Sequence, residues 1–374
     1  MQINKLKIND LRNHHHTELE LGPGINHFYG LNGSGKTTIL EAISILSFSK
    51  TFLPTNDQSI IRFGQNSYHI SCEARTSLDV PYKASLSYET GKKKKINSSN
   101  GDNLLPKNLI GAMPMVILTP DYKNITFGAP SDRRSFLDRI LSQSNKFYLE
   151  EAIKLKKILR QRNRLLNQFR SGEIKDNSLL EPWTNQLVDC NYEIVKRRYR
   201  FMDEIKPIFL ETYEKVSESA ENVDIIYQPY GVKSEENIKD DIWNKYQEKA
   251  TLEKIRGTSL FGPQKDEIEF RINNGIAKEV ASQGQHKSLL ISLKIAEFKY
   301  LHELSSETPI ILLDDIFSEL DKKRASHVLE LINENNVQTF ITSTERSFFD
   351  GDLEADLFRV DEGIVTKNNQ SVIE

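Results

Sequence analysis

The residues best placed to do chemistry stand in one run: Gly30-Leu31-Asn32-Gly33-Ser34-Gly35-Lys36-Thr37, with Thr38 behind it. The pattern is Gly-x-x-x-x-Gly-Lys-Thr, a P-loop spacing, in which glycines let backbone N–H groups curl around phosphate oxygens. An apolar strand over residues 25–29 leads into the run and a helix over 37–46 leads out of it. The N-terminus of that helix adds partial positive charge where phosphates would lie. Lys36 is the cation expected to reach the β- and γ-phosphates, and Thr37 the hydroxyl expected to ligate Mg²⁺. A chance glycine-rich turn would need neither the spacing nor those flanks. The chemistry implied is binding of ATP with Mg²⁺ by residues 30–38.

A second acidic motif, Ile310-Ile311-Leu312-Leu313-Asp314-Asp315, reads as a buried strand with carboxylates at its C-terminal end, where open α/β sheets bind ligands. Asp314 is the expected Mg²⁺ partner, and Asp315 is placed to orient or deprotonate an attacking water. Alone, a strand ending in Asp-Asp says little; downstream of a P-loop it is a Walker B. Ser282-Gln283-Gly284-Gln285 opens a helix, and Ser318-Glu319-Leu320-Asp321 follows the Walker B at the spacing of a D-loop. The tetrapeptide by itself would serve as an ordinary polar helix cap. Taken in order with the other motifs, it matches the signature of ABC-class ATPases, in which Ser282, Gly284 and Gln285 would meet a phosphate bound by a partner protomer. Asp321 then joins the expected nucleotide-contacting set.

These residues need a scaffold. The chain has 374 residues, 38% hydrophobic and 28% charged, a folded balance with room for one large or two ordinary domains. Fifty basic residues face 53 acidic ones for a net charge of -3, so any nucleic-acid surface is local. No apolar run approaches the ~20 residues of a membrane helix, and the first eight residues alternate like a strand rather than a signal peptide. Cys72 and Cys190 are far apart with no Cys-x-x-Cys, which argues against disulfides or structural zinc and suits a reducing cytoplasm.

Residues 1–130 read as short strands (3–11, 25–29, 68–75, 82–88) around one helix, with Glu89-Thr90-Gly91-Lys92 at a hairpin end. Residues 131–170 hold neither Gly nor Pro and carry apolar residues at helical spacing; a second helical stretch runs from Trp183 towards Met202. This predicts an antiparallel helical hairpin over 131–250, reaching ~60 Å if the first forty residues are one helix, or built from two shorter ones. Residues 251–374 return to mixed α/β: a hairpin of 267–272 and 276–280 around Asn273-Asn274-Gly275, a helix over 285–304, a strand over 309–313, another helix, and a strand over 338–342. Alternating apolar strands and helices indicate a mostly parallel sheet.

Three further stretches carry a family resemblance. Thr119-Pro120-Asp121 continuing to Pro130-Ser131-Asp132-Arg133-Arg134-Ser135-Phe136-Leu137-Asp138 resembles a mid-chain signature of the RecF family of bacterial recombination mediators, relatives of the SMC-type ABC ATPases. Residues 312–321 resemble its C-terminal signature. Gly262-Pro263-Gln264-Lys265-Asp266 resembles its Gly-Pro-His-Arg-Asp segment, with Gln and Lys substituted. The resemblance spans nearly the whole chain. It implies an α/β ABC/SMC-type ATPase head with a P-loop parallel sheet, an antiparallel β subdomain and a short helical arm. It also implies an ATP-dependent homodimer that binds double-stranded and gapped DNA with RecR and RecO, promoting RecA loading in repair, replication and the SOS response. Asp315 stands where many ABC ATPases have Glu, Ser343-Thr344 where a switch histidine is expected, and no Q-loop glutamine follows residues 115–118. Together these suggest a weak ATPase used as a switch.

Weaker features weigh less. Lys92, Lys93, Lys94 and Lys95 form a basic hairpin tip, a solvated turn or a phosphate contact in equal measure. Lys154, Lys156, Lys157, Arg160, Arg162 and Arg164, with Arg197, Arg198 and Arg200, make the arm locally basic and lean towards DNA. His14-His15-His16 lies on a strand that alternates faces, so the three cannot converge on a metal and are expected in solvent. Arg12-Asn13 resembles the family's early Arg-Asn pair at a nucleotide phosphate, with a structural role as the alternative. The rival readings are an ABC transporter ATPase subunit, which needs a Q-loop, a switch His and a membrane partner, and a minimal SMC-like structural head, which needs longer heptads.

Overall fold

Strand β1 (Gln2–Leu11) buries Ile3, Leu6 and Ile8 on one face and turns through Arg12, at a left-handed φ of 49°, into β2 (His14–Glu20). The structure is a computed structural model describing residues 1–217, 221–335, 337–346 and 354–368. Next come β3 (Ile25–Tyr29), helix α1 (Lys36–Phe48), β4 (Ser67–Arg75), β5 (Pro81–Glu89), β6 (Lys95–Ser98) and β7 (Met115–Leu118). A single turn, α2 (Asn124–Phe127), precedes α3 (Pro130–Ser144), α4 (Lys146–Arg170) and α5 (Glu181–Ser217). Then follow β8 (Val223–Gln228), α6 (Ile238–Arg256), β9 (Glu267–Ile272), β10 (Gly275–Ile276), the short α7 (Ala277–Val280) and α8 (Gln283–Leu304). The chain continues through β11 (Ile310–Asp314), α9 (Lys322–Glu334), β12 (Thr339–Ser343), β13 (Ala355–Asp361) and β14 (Ile364–Asn368).

Two compact units divide the chain at 122/123 and 292/293, where the sequence suggested 130/131 and 250/251. The first unit, residues 1–122 and 293–374, contains two sheets. One is six-stranded, ordered β14-β13-β3-β12-β11-β7, parallel throughout except for β14. The other is antiparallel, ordered β2-β1-β4-β5-β6. Helix α1 is buried along most of its length. Its Ile39, Leu40 and Ile43 join Phe28, Leu312 and Phe340 of the parallel sheet and Leu6, Ile70 and Leu86 of the antiparallel one in a single apolar core. All five residues of β11 are buried, as a central parallel strand requires. Register then places the chemistry: β11 pairs Asp314 with Thr342, and β12 pairs Ser343 with Tyr29, one residue before the P-loop.

The second unit, residues 123–292, holds the helices α2–α6 and a three-stranded antiparallel sheet ordered β10-β9-β8. The stretch 131–170 is two helices, because Asn145 leaves helical geometry and its side chain caps α4 by accepting from the Tyr148 N–H at 2.9 Å. α5 runs on past Met202 to Ser217, carrying Pro207 inside it. The expected hairpin after β9 is real only as far as Ile276: the Asn273-Asn274 turn adopts left-handed φ values of 48° and 69°, but residues 277–280 are helical.

Several arm cations belong to this unit's interior. Arg198 is buried and donates to Asp266 Oδ2 at 2.6 Å, Asp138 Oδ1 at 2.8 Å, the Pro263 carbonyl at 2.8 Å and Tyr148 Oη at 3.1 Å. Arg134 donates to the Asp266 carbonyl at 2.7 Å. The mid-chain signature and the Gly-Pro-Gln-Lys-Asp segment are therefore two halves of one ion-pair network, whose disruption would cost about 3–5 kcal/mol. Arg162 is likewise buried against Glu253 at 2.6 Å and Ser259 Oγ at 2.8 Å, so the basic run of α4 is not one solvated face. Cys72 and Cys190 are free and buried. Among the described residues, no helix is long and apolar enough to cross a membrane.

Candidate nucleotide site

The P-loop leaves β3 at Gly30, whose φ of 156° and close approach to the Val360 carbonyl, 2.2 Å from where a Cβ would stand, admit only glycine. Lys36 begins α1 and reaches back over the loop, its Nζ donating to the carbonyls of Gly30 at 2.7 Å and Leu31 at 2.8 Å. Only 7% of Lys36 is exposed. Burial lowers its pKa, while the carboxylates of Asp315 and Asp314 pull it back up.

Thr37, next on α1, donates its hydroxyl to Asp314 Oδ1 at 2.7 Å, joining the P-loop to the end of β11. A second hydroxyl, Thr342 at the matching position of β12, donates to the same oxygen at 2.8 Å. The Thr342 oxygen in turn accepts the Asp315 N–H at 2.9 Å, holding Asp315 at a left-handed φ of 47°. One threonine thus orders both acids. Thr342 was not singled out from the sequence, although its place at the carboxyl end of the neighbouring parallel strand is the available signal. Burial raises the carboxyl pKa of both acids; the two hydroxyls lower that of Asp314, and Lys36 lowers that of Asp315.

A hydroxyl and a carboxylate at this spacing suit Mg²⁺, which takes few protein oxygens and completes its shell with phosphate and water. Among the described residues, no cluster of three His, Cys, Asp or Glu forms a metal cage. The Thr37 hydroxyl and the Asp314 carboxylate fit a cation held jointly with a triphosphate.

The other expected site residues are distributed as follows. Arg12 is clamped by the buried Glu41 of α1, its Nη2 donating to Oε1 at 2.9 Å and its Nε to Oε2. Thr51 donates to Glu41 as well, at 2.6 Å. The guanidinium is paired with Glu41 and a third exposed. Asn13 lies on the P-loop, donating to the Ser34 carbonyl at 2.9 Å. His14 corrects the expectation of exposure: it is fully buried, with Nε2 on the Gly35 carbonyl at 3.0 Å and Nδ1 on Thr17 Oγ1 at 2.8 Å. His15 and His16 are exposed.

Ser343 occupies the place of the expected switch histidine, and an imidazole approaches it from β3. Ser343 Oγ donates to the Glu345 carbonyl at 2.6 Å, so the 2.7 Å contact with His27 Nε2 is one in which the ring donates. His27 is fully buried, and burial lowers its pKa to about 4. The Ser343 carbonyl accepts the Gly30 N–H at 3.3 Å, tying this point to the P-loop.

In the second unit, Ser282 and Gln285 form a reciprocal capping box at the start of α8: Ser282 Oγ accepts the Gln285 N–H at 3.2 Å, and Gln285 Oε1 accepts the Ser282 N–H at 2.6 Å. Gly284 lies between them, and Gln285 Nε2 also donates to Glu221 at 2.7 Å. In the first unit, Asp321 caps α9 by accepting the Arg324 N–H at 3.0 Å, which holds its carboxyl below the usual range. Of the four lysines, Lys94 is spent on Asp57 at 2.7 Å and on the Ser49 carbonyl, and Lys92 pairs with Glu89 at 2.7 Å; Lys93 and Lys95 are exposed.

The chain matches the RecF/RecN/SMC N-terminal domain family over residues 2–365. It is 33% identical over 364 residues to the DNA replication and repair protein RecF of Salinibacter ruber, covering 95% of this chain and 88% of that one. Against the RecF of Bacillus velezensis it is 33% identical over 374 residues, covering 98% and 100%. A solved structure described as the recombination mediator protein RecF with ATP in the RecFOR pathway superposes with a TM-score of 0.91 at 28% identity, covering 98% of each chain. An Smc head bound to the C-terminal winged-helix domain of ScpA, at 14% identity and a TM-score of 0.58, shares the fold.

Proposed function

Because this chain belongs to the RecF family, we propose that it is an ATP-operated recombination mediator whose nucleotide controls dimerisation and DNA binding. In this reading ATP and Mg²⁺ bind at residues 30–38. Lys36 neutralises the β- and γ-phosphates, Thr37 and Asp314 hold the cation, and Asp315 orients the water of a slow hydrolysis. Ser282, Gly284 and Gln285 of one protomer, with Asp321, complete the site of the other, so ATP favours a symmetric dimer. The dimer binds double-stranded and gapped DNA in the cytoplasm and, with RecR and RecO, promotes RecA loading in repair and replication restart.

The observation that carries the reading is the 2.7 Å bond from Thr37 to Asp314, which brings the P-loop hydroxyl and the strand-end carboxylate to one point. The full-length likeness to a RecF described with ATP supports it. Binding of a fluorescent duplex, titrated with and without ATP and Mg²⁺ over a salt series, tests it. Tighter, salt-sensitive binding with ATP is expected; ATP-independent duplex affinity would remove the switch.

A further inference from the structure

Three groups outside the P-loop sequence, two side chains and one backbone N–H, hold its carbonyls from behind. The Ser34 carbonyl accepts from Asn13 Nδ2 at 2.9 Å and from the Gly363 N–H at 2.8 Å. The Gly35 carbonyl accepts from His14 Nε2 at 3.0 Å and from the Thr38 N–H at 3.1 Å. A carbonyl only accepts, so His14 carries its proton on Nε2 in this contact. Each carbonyl belongs to a planar trans peptide whose N–H points the opposite way. Pinning the carbonyls of Ser34 and Gly35 outward therefore aims the amides of Gly35 and Lys36 inward, at the start of α1, where helix N–H groups lack intrahelical partners.

The brace fits closely. A Cβ on Gly35 would lie 2.6 Å from His14 Nε2 and 2.8 Å from Asn13 Nδ2, and one on Gly363 would lie 2.3 Å from the Asn13 carbonyl. His14 and Thr17 come from β2, and Gly363 from the turn between β13 and β14. Thr17 Oγ1 contacts both His14 and, at 3.3 Å, the Gly363 carbonyl.

We infer that His14, together with Asn13 and the β13–β14 turn, is a positioning element of the nucleotide site, fixing the P-loop amides in their phosphate-binding orientation before the ligand arrives. The ligand chemistry it serves is a polyphosphate chain, whatever nucleoside is attached. The inference rests on ATP binding at the P-loop, as proposed above. Its worth lies in preorganisation: a loop already ordered does not lose that freedom on binding.

The test compares His14→Phe, which keeps a ring of similar size and loses the donor, with His14→Gln, whose terminal amide reaches the position of Nε2. Calorimetric affinities for ATP and for inorganic tripolyphosphate are measured for both variants and for Asn13→Ala, beside their unfolding midpoints without ligand. His14→Phe should weaken both ligands by about 10-fold, His14→Gln should restore most of that loss, and Asn13→Ala should weaken both several-fold. Asn13 is partly exposed, so its variant keeps the test alive if His14→Phe does not fold. Parent-like affinity in His14→Phe or, should that variant not fold, in Asn13→Ala overturns the positioning role. So does equal weakness of the Phe and Gln variants. A parent protein that binds neither ligand would instead overturn the P-loop reading itself.

Discussion

Thr37 and Asp314 lie 277 residues apart in the chain and share a hydrogen bond of 2.7 Å. The pairing exists because β11 lies in one parallel sheet with β3, separated from it only by β12, so that the strand-end acid and the loop after β3 open on the same edge. In the proposed function this bond assigns the cation to Asp314 and leaves Asp315, turned by its left-handed backbone, for the attacking water.

Lys36→Ala removes the cation that now caps the Gly30 and Leu31 carbonyls. Charge-assisted contacts to phosphate of the usual strength put the loss of ATP affinity at roughly 100-fold. The variant should fold, and the thermal shift that ATP gives the parent should vanish. An undiminished shift would contradict the P-loop assignment.

Asp315→Asn should leave ATP and Mg²⁺ binding intact through Thr37 and Asp314 while slowing single-turnover hydrolysis, because an amide cannot accept the water's proton. A roughly 10²-fold or greater drop is expected for loss of a general base. An unchanged rate would move the role to another group.

Legibility followed sequence locality. The P-loop and the Asp-Asp strand end are consecutive residues whose types dictate both conformation and chemistry, and each lies where its spacing placed it. His14 was misjudged because strand alternation tells only that neighbours face opposite ways, not that one face meets the back of a P-loop. The carboxylates around Arg198, Asp138 and Asp266, come from 60 and 68 residues away, so a cation in a basic-looking helix gave no sign of its burial. The β13–β14 hairpin was missed altogether. Its Gly363 reads as an ordinary turn glycine until Asn13 is packed against it.

Acid stability should report on His27. Its pKa near 4 in the fold lies below the ordinary 6.5, so the buried ring favours the neutral form. That stabilisation is fully present above about pH 6.5 and is lost as pH falls towards 4, since the unfolded chain takes the proton first. The full loss is roughly 3 kcal/mol. His27→Gln keeps a donor for Ser343 without titrating. Between pH 6.5 and 4 its unfolding free energy should fall less steeply than the parent's, by about one proton. Parallel curves would show that His27 titrates normally.

For duplex binding, the structure separates the four lysines. Replacing Lys92, Lys93 and Lys95 with Ser should flatten the slope of log affinity against log salt by up to about three. Lys94→Ser should instead lower the unfolding midpoint, because it deprives Asp57 of its partner. An unaltered slope in the triple variant would assign the hairpin tip to solvent.

In the proposed dimer, ATP joins two protomers through the capping box at the start of α8. Ser282→Asp tests it cleanly: aspartate still accepts the Gln285 N–H as a helix cap, but it sets a negative charge where the partner's γ-phosphate would arrive. Sedimentation equilibrium with saturating ATP and Mg²⁺ should give a dimer for the parent and a monomer for Ser282→Asp, with ATP affinity per monomer retained. A Ser282→Asp protein that dimerises with ATP as the parent does, or a parent that stays monomeric, would contradict it.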